Sequence, residues 1–351
     1  MNILVIGCGS IGYRHASNAS FLGHDVIAVD PTKSRLDKLK GTVRVKSVFT
    51  CLKDALFEEH CDAAIVAVPT SLHYKISIDL IRAKIPLLVE KPLCCDLAQS
   101  EEIASALRVN PVIFMMGHTY RFRRDWQEVK RLLDQAILGK IMSAEFSGGW
   151  YLPDWHFRED YRKEYAAQKS QGGGVILTNM SHIFDIVAWL FGDIVKLTGV
   201  KAKVSELDID VEDTISVAMM TATGCLVNVF EDFISRIPRR LLRVNCQHGF
   251  IEVDFNQKRL IIWDEKQHRH LPDSNSIQIN ENSIFILEDG IRYSYPESIA
   301  FSFGNANDPY LEMTNHFFSL VEQKVLCHDL DINSGLAVMR CLDEIANAPA
   351  W

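Results

Sequence analysis

The first thirty residues constrain this chain most. Ile3-Leu4-Val5-Ile6 reads as a hydrophobic strand and runs straight into Gly7-Cys8-Gly9-Ser10-Ile11-Gly12. The helix that follows extends to about Leu22, Gly23 stops it, and Val26-Ile27-Ala28-Val29 leads to Asp30. Strand, glycine turn, helix, strand and acid in this order form the G-x-G-x-x-G dinucleotide fingerprint in its required setting. Gly7 permits the tight turn, Gly9 lets the backbone approach a pyrophosphate, and Gly12 lets the helix pack closely on the strand. The helix N-terminus then offers unpaired N–H groups and a partial positive charge to the phosphates. Asp30 is placed to accept hydrogen bonds from ribose hydroxyls. This favours NAD over NADP, because a 2′-phosphate would meet like charge, although nearby Lys33 and Arg35 soften that preference.

A chain of 351 residues is long enough for two domains. Hydrophobic residues at 48% and charged residues at 23% fit a soluble globular protein. The net charge of −8 argues against a general nucleic-acid partner. No apolar run reads as a membrane span, and the N-terminus has no basic region preceding its apolar run. The expectation is a cytoplasmic protein with no membrane partner. Nine scattered cysteines without a C-x-x-C pair fit reduced thiols. His268-x-His270 sits in a charged, loop-like stretch and reads as solvated, so no metal site is expected.

Short β runs alternate with helical patterns up to about residue 118. Strands are expected near Val43–Val45, Ala63–Val68, Pro86–Glu90 and Val112–Met116, with helices at Leu72–Ala83 and Asp96–Leu107 between them. This alternation implies a doubly wound parallel sheet whose ligand lies at the carboxyl ends of the strands. From Arg121 the pattern changes. A helix is expected at about Trp126–Leu138, a strand at Met142–Ser147, a loop-like excursion from Gly148 to Gly174, and a helix at His182–Leu190. Six β patterns follow between Val195 and Trp263, joined by short turns that indicate an antiparallel sheet. Residues 264–305 read as a polar insertion with a short hairpin, and two amphipathic helices close the chain. The expected division is a dinucleotide-binding domain at 1–118 and a substrate and oligomerisation domain at 119–351, with the last helices packing back on the first domain.

Several positions can carry chemistry. Pro69 and Thr70 turn the chain at the end of the fourth strand, on the edge where cofactor binds, with His73 just beyond. Glu90-Lys91-Pro92 follows the buried strand Leu87-Leu88-Val89. Lys91 is either a surface lysine at a strand end or a partly desolvated ammonium that hydrogen-bonds a reacting oxygen. His182, with Asp185 three residues on, suits a general base by its titration range. By spacing alone the better reading is a helix-start histidine bonded to backbone.

Together these residues carry a resemblance. Gly7-x-Gly9-Ser10-Ile11-Gly12-x-Arg14-His15, Pro69-Thr70-x-x-His73, Glu90-Lys91-Pro92, Tyr120-Arg121-Phe122 and Gly172-Gly173-Gly174…His182-x-x-Asp185 occur in that order. The chain resembles the Gfo/Idh/MocA oxidoreductases over nearly its whole length. The resemblance implies a Rossmann domain and a C-terminal α/β domain with an open, mostly antiparallel sheet. It also implies a homodimer or homotetramer built through that sheet. It implies NAD(P)-dependent hydride transfer on a sugar, polyol or nucleotide sugar. Carried over by position, Lys91 and His182 are the catalytic pair, and Gly7, Gly9, Ser10, Ile11, Gly12, Asp30, Pro69, Thr70, His73, Glu90 and Lys91 face the cofactor. Arg121, Asn179 and His182 fall on the substrate side.

There are departures. Thr178 stands where the family commonly has Asp, four residues before the histidine, and Thr119 where many members have Asn. A hydroxyl can relay a proton but does not ionise at neutral pH. The family architecture would hang the aromatic excursion over the substrate. Trp150, Tyr151 or Trp155 then either stacks on a sugar face or pins the loop, and Arg158 or Arg162 is available to an anionic substituent. Two other outcomes remain open on the same scaffold: a redox-neutral, NAD-dependent glycoside-cleaving enzyme, and a non-catalytic nucleotide-sensing regulator.

Overall fold

The computed structural model describes residues 1–155, 160–264, 285–288, 291–294, 299–300 and 308–347. The first half alternates strand and helix: β1 (Asn2–Ile6), α1 (Ser10–Phe21), β2 (Asp25–Val29), α2 (Lys33–Lys40), β3 (Val45–Phe49), α3 (Leu52–Glu58), β4 (Ala63–Val66), α4 (His73–Arg82), β5 (Leu87–Glu90), α5 (Leu97–Val109) and β6 (Phe114–Gly117). The six strands pair in parallel in the order β3-β2-β1-β4-β5-β6. Order reverses between β1 and β4, and a dinucleotide crevice belongs at that switch point. Nearly every residue of β1, β4 and β5 is buried, because helices cover both faces of the sheet.

The second half is built on one large sheet. Helix α6 (Arg124–Asp134) leads into β7 (Ile141–Gly149). Short 3-10 turns cross residues 152–171, and a π-turn, Ile176–Met180, runs directly into α7 (Ser181–Phe191). Strands β8 (Ile194–Ala202), β9 (Thr214–Thr221), β10 (Leu226–Asp232), β11 (Arg239–Cys246), β12 (Gly249–Asp254) and β13 (Arg259–Asp264) follow. A small hairpin, β14 (Phe285–Glu288) with β15 (Ile291–Ser294), and the short β16 (Ile299–Ala300) come next. The eight-stranded order is β16-β13-β12-β11-β7-β10-β9-β8, antiparallel except where β7 and β10 run parallel. The fold is thus the expected Rossmann sheet plus a mostly antiparallel second sheet. The chain closes with α8 (Asp308–Gln323), packed on α1, and α9 (Ile332–Ala346), packed on α5 and α7.

Two local expectations change. The helix bearing His182 begins a full turn and more before it, at Val175, so His182 lies inside a helix rather than at its start. Sequence pattern missed this because Thr178-Asn179 interrupts the apolar run. The helical stretch Lys169–Phe191 also has a mean hydropathy of 1.4, enough by length and composition to cross a membrane, yet 72% of its most apolar window is buried inside the protein. Its apolarity is core packing. The His268-x-His270 pair lies outside the described residues.

The β7 to β11 rows show why the second sheet packs as it does. Val227, Ala144 and Val244 lie side by side on the inner face, then Val229, Phe146 and Leu242, all buried. Trp126 of α6 covers this face, fully buried against Phe255 at a ring distance of 4.2 Å and against Phe146 at 6.1 Å. Trp126→Ala removes the largest fully buried side chain and leaves a cavity, which is expected to destabilise the protein by about 3–5 kcal/mol. Chemical denaturation checks this, and a change below about 1 kcal/mol would contradict the packing described.

Candidate active site

The glycine turn fits a dinucleotide for separate reasons at each position. Gly7 has φ +87° and its missing side chain would fall on the carbonyl oxygen of Ala67. At Gly12 a Cβ would fall on the carbonyl oxygen of Gly7, so the first turn of α1 closes directly over the loop. Gly9 differs: a Cβ there would have no neighbour within 4 Å. Gly9 also caps α1 without any side-chain hydrogen bond, so the N–H groups of the first turn are not taken up by a capping side chain beside that open space. A phosphate fits that cradle.

Asp30 is buried at the end of β2. Its Oδ2 accepts the Cys8 N–H at 2.8 Å and its Oδ1 accepts the Thr32 N–H at 2.8 Å. The carboxylate therefore braces the glycine turn itself, while Oδ1 keeps a lone pair for a further donor. Arg35 stands 3.5 Å from Oδ2 on the solvent side.

Three of the residues expected to face the cofactor have side chains that contact other parts of the protein. His73 is buried, with Nδ1 2.9 Å from the Pro92 carbonyl oxygen and Nε2 2.9 Å from that of Val68. It ties the turn after β4 to the turn after β5, and burial lowers its pKa. Both ring nitrogens thus face main-chain oxygens of the protein. Glu90 is buried too, and its Oε1 pairs with His15 Nε2 at 2.8 Å, while His15 Nδ1 meets Thr314 Oγ1 of α8 at 3.1 Å. Thr70 packs under the Gly172 turn, 3.2 Å from the position of its missing Cβ. Pro69 precedes the 3-10 turn that carries Thr70.

Lys91 leaves the carboxyl end of β5 and crosses to the other half of the molecule. Its Nζ donates to the main-chain carbonyl of Thr178 at 2.9 Å, 87 residues away. Burial lowers its pKa to about 8, against the opposing pull of the Glu90 charge. At neutral pH the ammonium is mostly charged, yet it can lose its proton just above. The Thr178 hydroxyl donates to the Gly174 carbonyl at 2.6 Å, so its proton is committed. Thr178 contributes a main-chain oxygen where a carboxylate was to be expected. π-turns inside helices recur at functional sites, where they re-aim backbone groups.

His182 lies beneath the Tyr120 ring, stacked at 4.1 Å with an interplanar angle of 6°. Its Nδ1 is buried with no hydrogen-bond partner among the described residues. Burial drives its pKa well below 6.5, and the positive charges of Lys91, Arg240 and Arg123 add to this. The ring is therefore neutral at physiological pH and able to accept a proton. Behind it, His118 is fully buried with Nε2 3.5 Å from Asp185 Oδ1, and burial lowers its pKa as well.

The remaining candidates separate. Arg121 is taken up by Asp185, with contacts of 2.6, 3.0 and 3.1 Å, and by Asp329 at 3.4 Å. A guanidinium bound in this two-carboxylate grip anchors α7 to the segment before α9, which differs from a substrate contact. Asn179 donates from Nδ2 to Glu231 Oε2 at 2.8 Å. In the excursion, main-chain bonds from Trp150 to Asp232 (3.2 Å) and from Leu152 to Phe233 (2.9 Å) pin the chain along the end of β10. Trp155 packs edge-on against Phe233 at 5.2 Å, and Tyr151 lies 3.7 Å under the Arg236 guanidinium. Trp150 alone of these aromatics is 43% exposed and open to stack. Arg162 pairs with Asp160 at 2.8 Å, and Arg158 lies outside the described residues.

Sequence reasoning quoted Tyr120 only within the Tyr120-Arg121-Phe122 motif, with no role, and passed over Arg240 and Glu231. Arg240 stands 5.3 Å over the same Tyr120 ring that stacks on His182. Glu231 had a readable signal: it continues the inward parity of Val227 and Val229.

A parallel sheet with a phosphate-ready glycine turn and a buried lysine at the end of its β5, facing a buried histidine on a helix of the second half, defines a dinucleotide-binding oxidoreductase fold. Residues 1–118 match the oxidoreductase family with an NAD-binding Rossmann fold, and residues 126–252 match the GFO/IDH/MocA C-terminal domain. The chain belongs to the Gfo/Idh/MocA family. It is 28% identical over 193 residues to the myo-inositol dehydrogenase Hyg17 of Streptomyces leeuwenhoekii, a stretch covering 55% of this chain and 56% of that protein. It is 24% identical over 256 residues to an inositol 2-dehydrogenase of Corynebacterium glutamicum, covering 71% and 69%. This chain thus matches little more than half the length of the first relative. In fold it resembles GenD2 from gentamicin A biosynthesis, solved in complex with NAD, with a TM-score of 0.78 at 18% identity, covering 99% of this chain and 93% of that one.

Gly9→Ala offers a clean test of the nucleotide cradle. The added methyl meets no protein atom, so thermal stability should not change, whereas a pyrophosphate held against that backbone would be displaced. NAD affinity measured by calorimetry is expected to fall at least about tenfold, and unchanged affinity would place the phosphates elsewhere.

Proposed function

We propose that this chain is an NAD-dependent dehydrogenase acting on a CH–OH group of a sugar, polyol or nucleotide sugar, with residues 1–118 holding the cofactor and 119–351 the substrate. The observation that carries this reading is the opposed pair at the junction of the two sheets. Lys91 is a buried ammonium with a pKa of about 8, and His182 is a neutral imidazole with an unpartnered ring nitrogen. Two adjoining titratable groups, both with pKa values lowered by burial, suit acid–base work on one hydroxyl. The glycine turn and Asp30 fit NAD, which when bound at the crevice accepts the hydride. Lys91 holds the reacting oxygen by a charge-assisted hydrogen bond. His182 takes the hydroxyl proton directly, since the Thr178 hydroxyl is committed to Gly174. Trp150 flanks the opening as a stacking surface for a ring.

We infer further that the protein is a cytoplasmic homo-oligomer. Phe230 and Leu241, which flank Ser147 on the outer face of the second sheet, are each 37% exposed, and Leu226 beside Met220 extends this apolar surface.

Incubation of the protein with NAD and a panel of inositols, sugars and nucleotide sugars should raise reduced-nicotinamide absorbance with one class. Silence across the panel, with NAD bound, would overturn the reading, and solvent deuterium entering a sugar without net reduction would replace it by redox-neutral chemistry. Lys91→Ala is expected to lower turnover by about 10²–10⁴-fold while NAD affinity stays within about twofold. The pH profile supplies an independent check. The ammonium is charged below about pH 8 and loses its proton above it, so activity should decline on the alkaline side near that value. In Lys91→Arg, any residual activity should lack this decline, because a guanidinium stays protonated.

A further inference from the structure

The inner face of the second sheet is apolar until its last row. Val227-Ala144-Val244 and Val229-Phe146-Leu242 are followed, one pair further along, by Glu231, Gly148 and Arg240. Glu231 is buried there. Gly148 is the space its carboxyl occupies, since a Cβ at that position would fall on Glu231 Oε1. Glu231 Oε2 accepts from Asn179 Nδ2 at 2.8 Å. Asn179 belongs to the π-turn whose Thr178 carbonyl holds Lys91 Nζ and which runs straight into the helix bearing His182. One carboxyl of the sheet therefore grips the single turn on which both candidate catalytic groups depend.

We propose that Glu231 is a positioning residue whose protonation state, transmitted through Asn179, sets the geometry of the Lys91–His182 pair and so confers pH dependence on this site. Burial raises its pKa to about 7. The Asn179 hydrogen bond and the charges of Arg240 and Arg239, both on β11, pull it down, while neighbouring Asp232 pushes it up. As pH falls through that value the carboxylate gains a proton and ceases to be a purely accepting partner for the Asn179 amide. His182 cannot supply a transition near neutrality, because its own pKa lies well below 6.5. The acid-side limb of activity then belongs to Glu231.

The kinetic consequence rests on the dehydrogenase reading, but the first test does not. In protein carrying carbon-labelled glutamate side chains, the Glu231 resonance, assigned by its loss in Glu231→Gln, should inflect near pH 7. The His182 ring-proton resonance, assigned by its loss in His182→Gln, should inflect at the same pH in the wild type and lose that inflection in Glu231→Gln. In Asn179→Ala, Glu231 should still titrate near neutrality while His182 no longer follows it. A Glu231 that titrates in the ordinary carboxylate range, or a His182 inflection that survives either substitution, overturns the proposal whether or not a substrate is known. With a substrate in hand, Glu231→Gln should lower kcat about tenfold, leave KM for NAD unchanged and abolish the acid limb. An unchanged pH profile would overturn the proposal with the dehydrogenase reading intact.

Discussion

The hydrogen bond from Lys91 to the Thr178 carbonyl is the constraint on which the rest of the site depends. A buried ammonium is tolerable only if it is paired or hydrogen-bonded, because stripping it of water is expensive. Here the acceptor is a main-chain oxygen from the other half of the molecule, which requires β5 and the π-turn to be held in fixed relation. A carboxylate at that place would stabilise the ammonium more strongly. A carbonyl leaves its pKa depressed to about 8, close to working pH, and so close to the condition for exchanging a proton. The threonine substitution thus changes how the lysine is held without emptying its place.

Buried polar links supply the fixed relation. Asp185 of α7 grips Arg121, which in turn reaches Asp329 before α9. His15 of α1 joins Glu90 of β5 to Thr314 of α8, so the helix that follows the glycine turn is tied to the residue beside Lys91. His73 joins the two turns after β4 and β5. Such links contribute little net stability when complete, yet removing one partner leaves a buried group unsatisfied at about 3–5 kcal/mol for an ion pair. Their value lies in geometry. They connect the glycine turn to the Lys91–His182 pair along short paths, which is what the proposed hydride transfer between two bound molecules would demand.

Glu231 belongs to the same framework from the opposite side. Along β10, β7 and β11 the inner face of the second sheet is a packed apolar platform that becomes polar in the row holding Glu231, the partner of Asn179. That row combines a missing side chain at Gly148, an acid at Glu231 and a base at Arg240, the last lying over the Tyr120 ring that covers His182. Packing alone would favour a hydrophobic residue at a buried strand position of inward parity, so an acid there is a local violation of the strand pattern. Such violations concentrate at functional sites.

The nucleotide half was legible in sequence because its requirements are local. Gly7 and Gly12 are needed by the turn's own backbone, and Asp30 follows at a fixed distance along the same βαβ unit. The positions of β5 and Lys91 followed from a short apolar run. The second half was less legible. The start of the His182 helix at Val175 was obscured by Thr178 and Asn179, polar residues whose partners, Lys91 and Glu231, are remote in the chain. The resemblance put Arg121 on the substrate side, and its carboxylate partners Asp185 and Asp329 are too distant in sequence to have been anticipated. Arg240 and Glu231 carried no motif, and the motif holding Tyr120 did not reveal its stacking on His182. Sequence by itself determined the glycine cradle and the parallel sheet, since each follows from neighbouring residues and backbone sterics, while the lysine and histidine were marked out only by the family resemblance. Only the tertiary structure decided that Lys91 is desolvated against a backbone carbonyl, that His182 is neutral under Tyr120, and that a buried acid underlies both. Burial and charge proximity between distant segments set those properties, and neither exists until the two sheets have packed together.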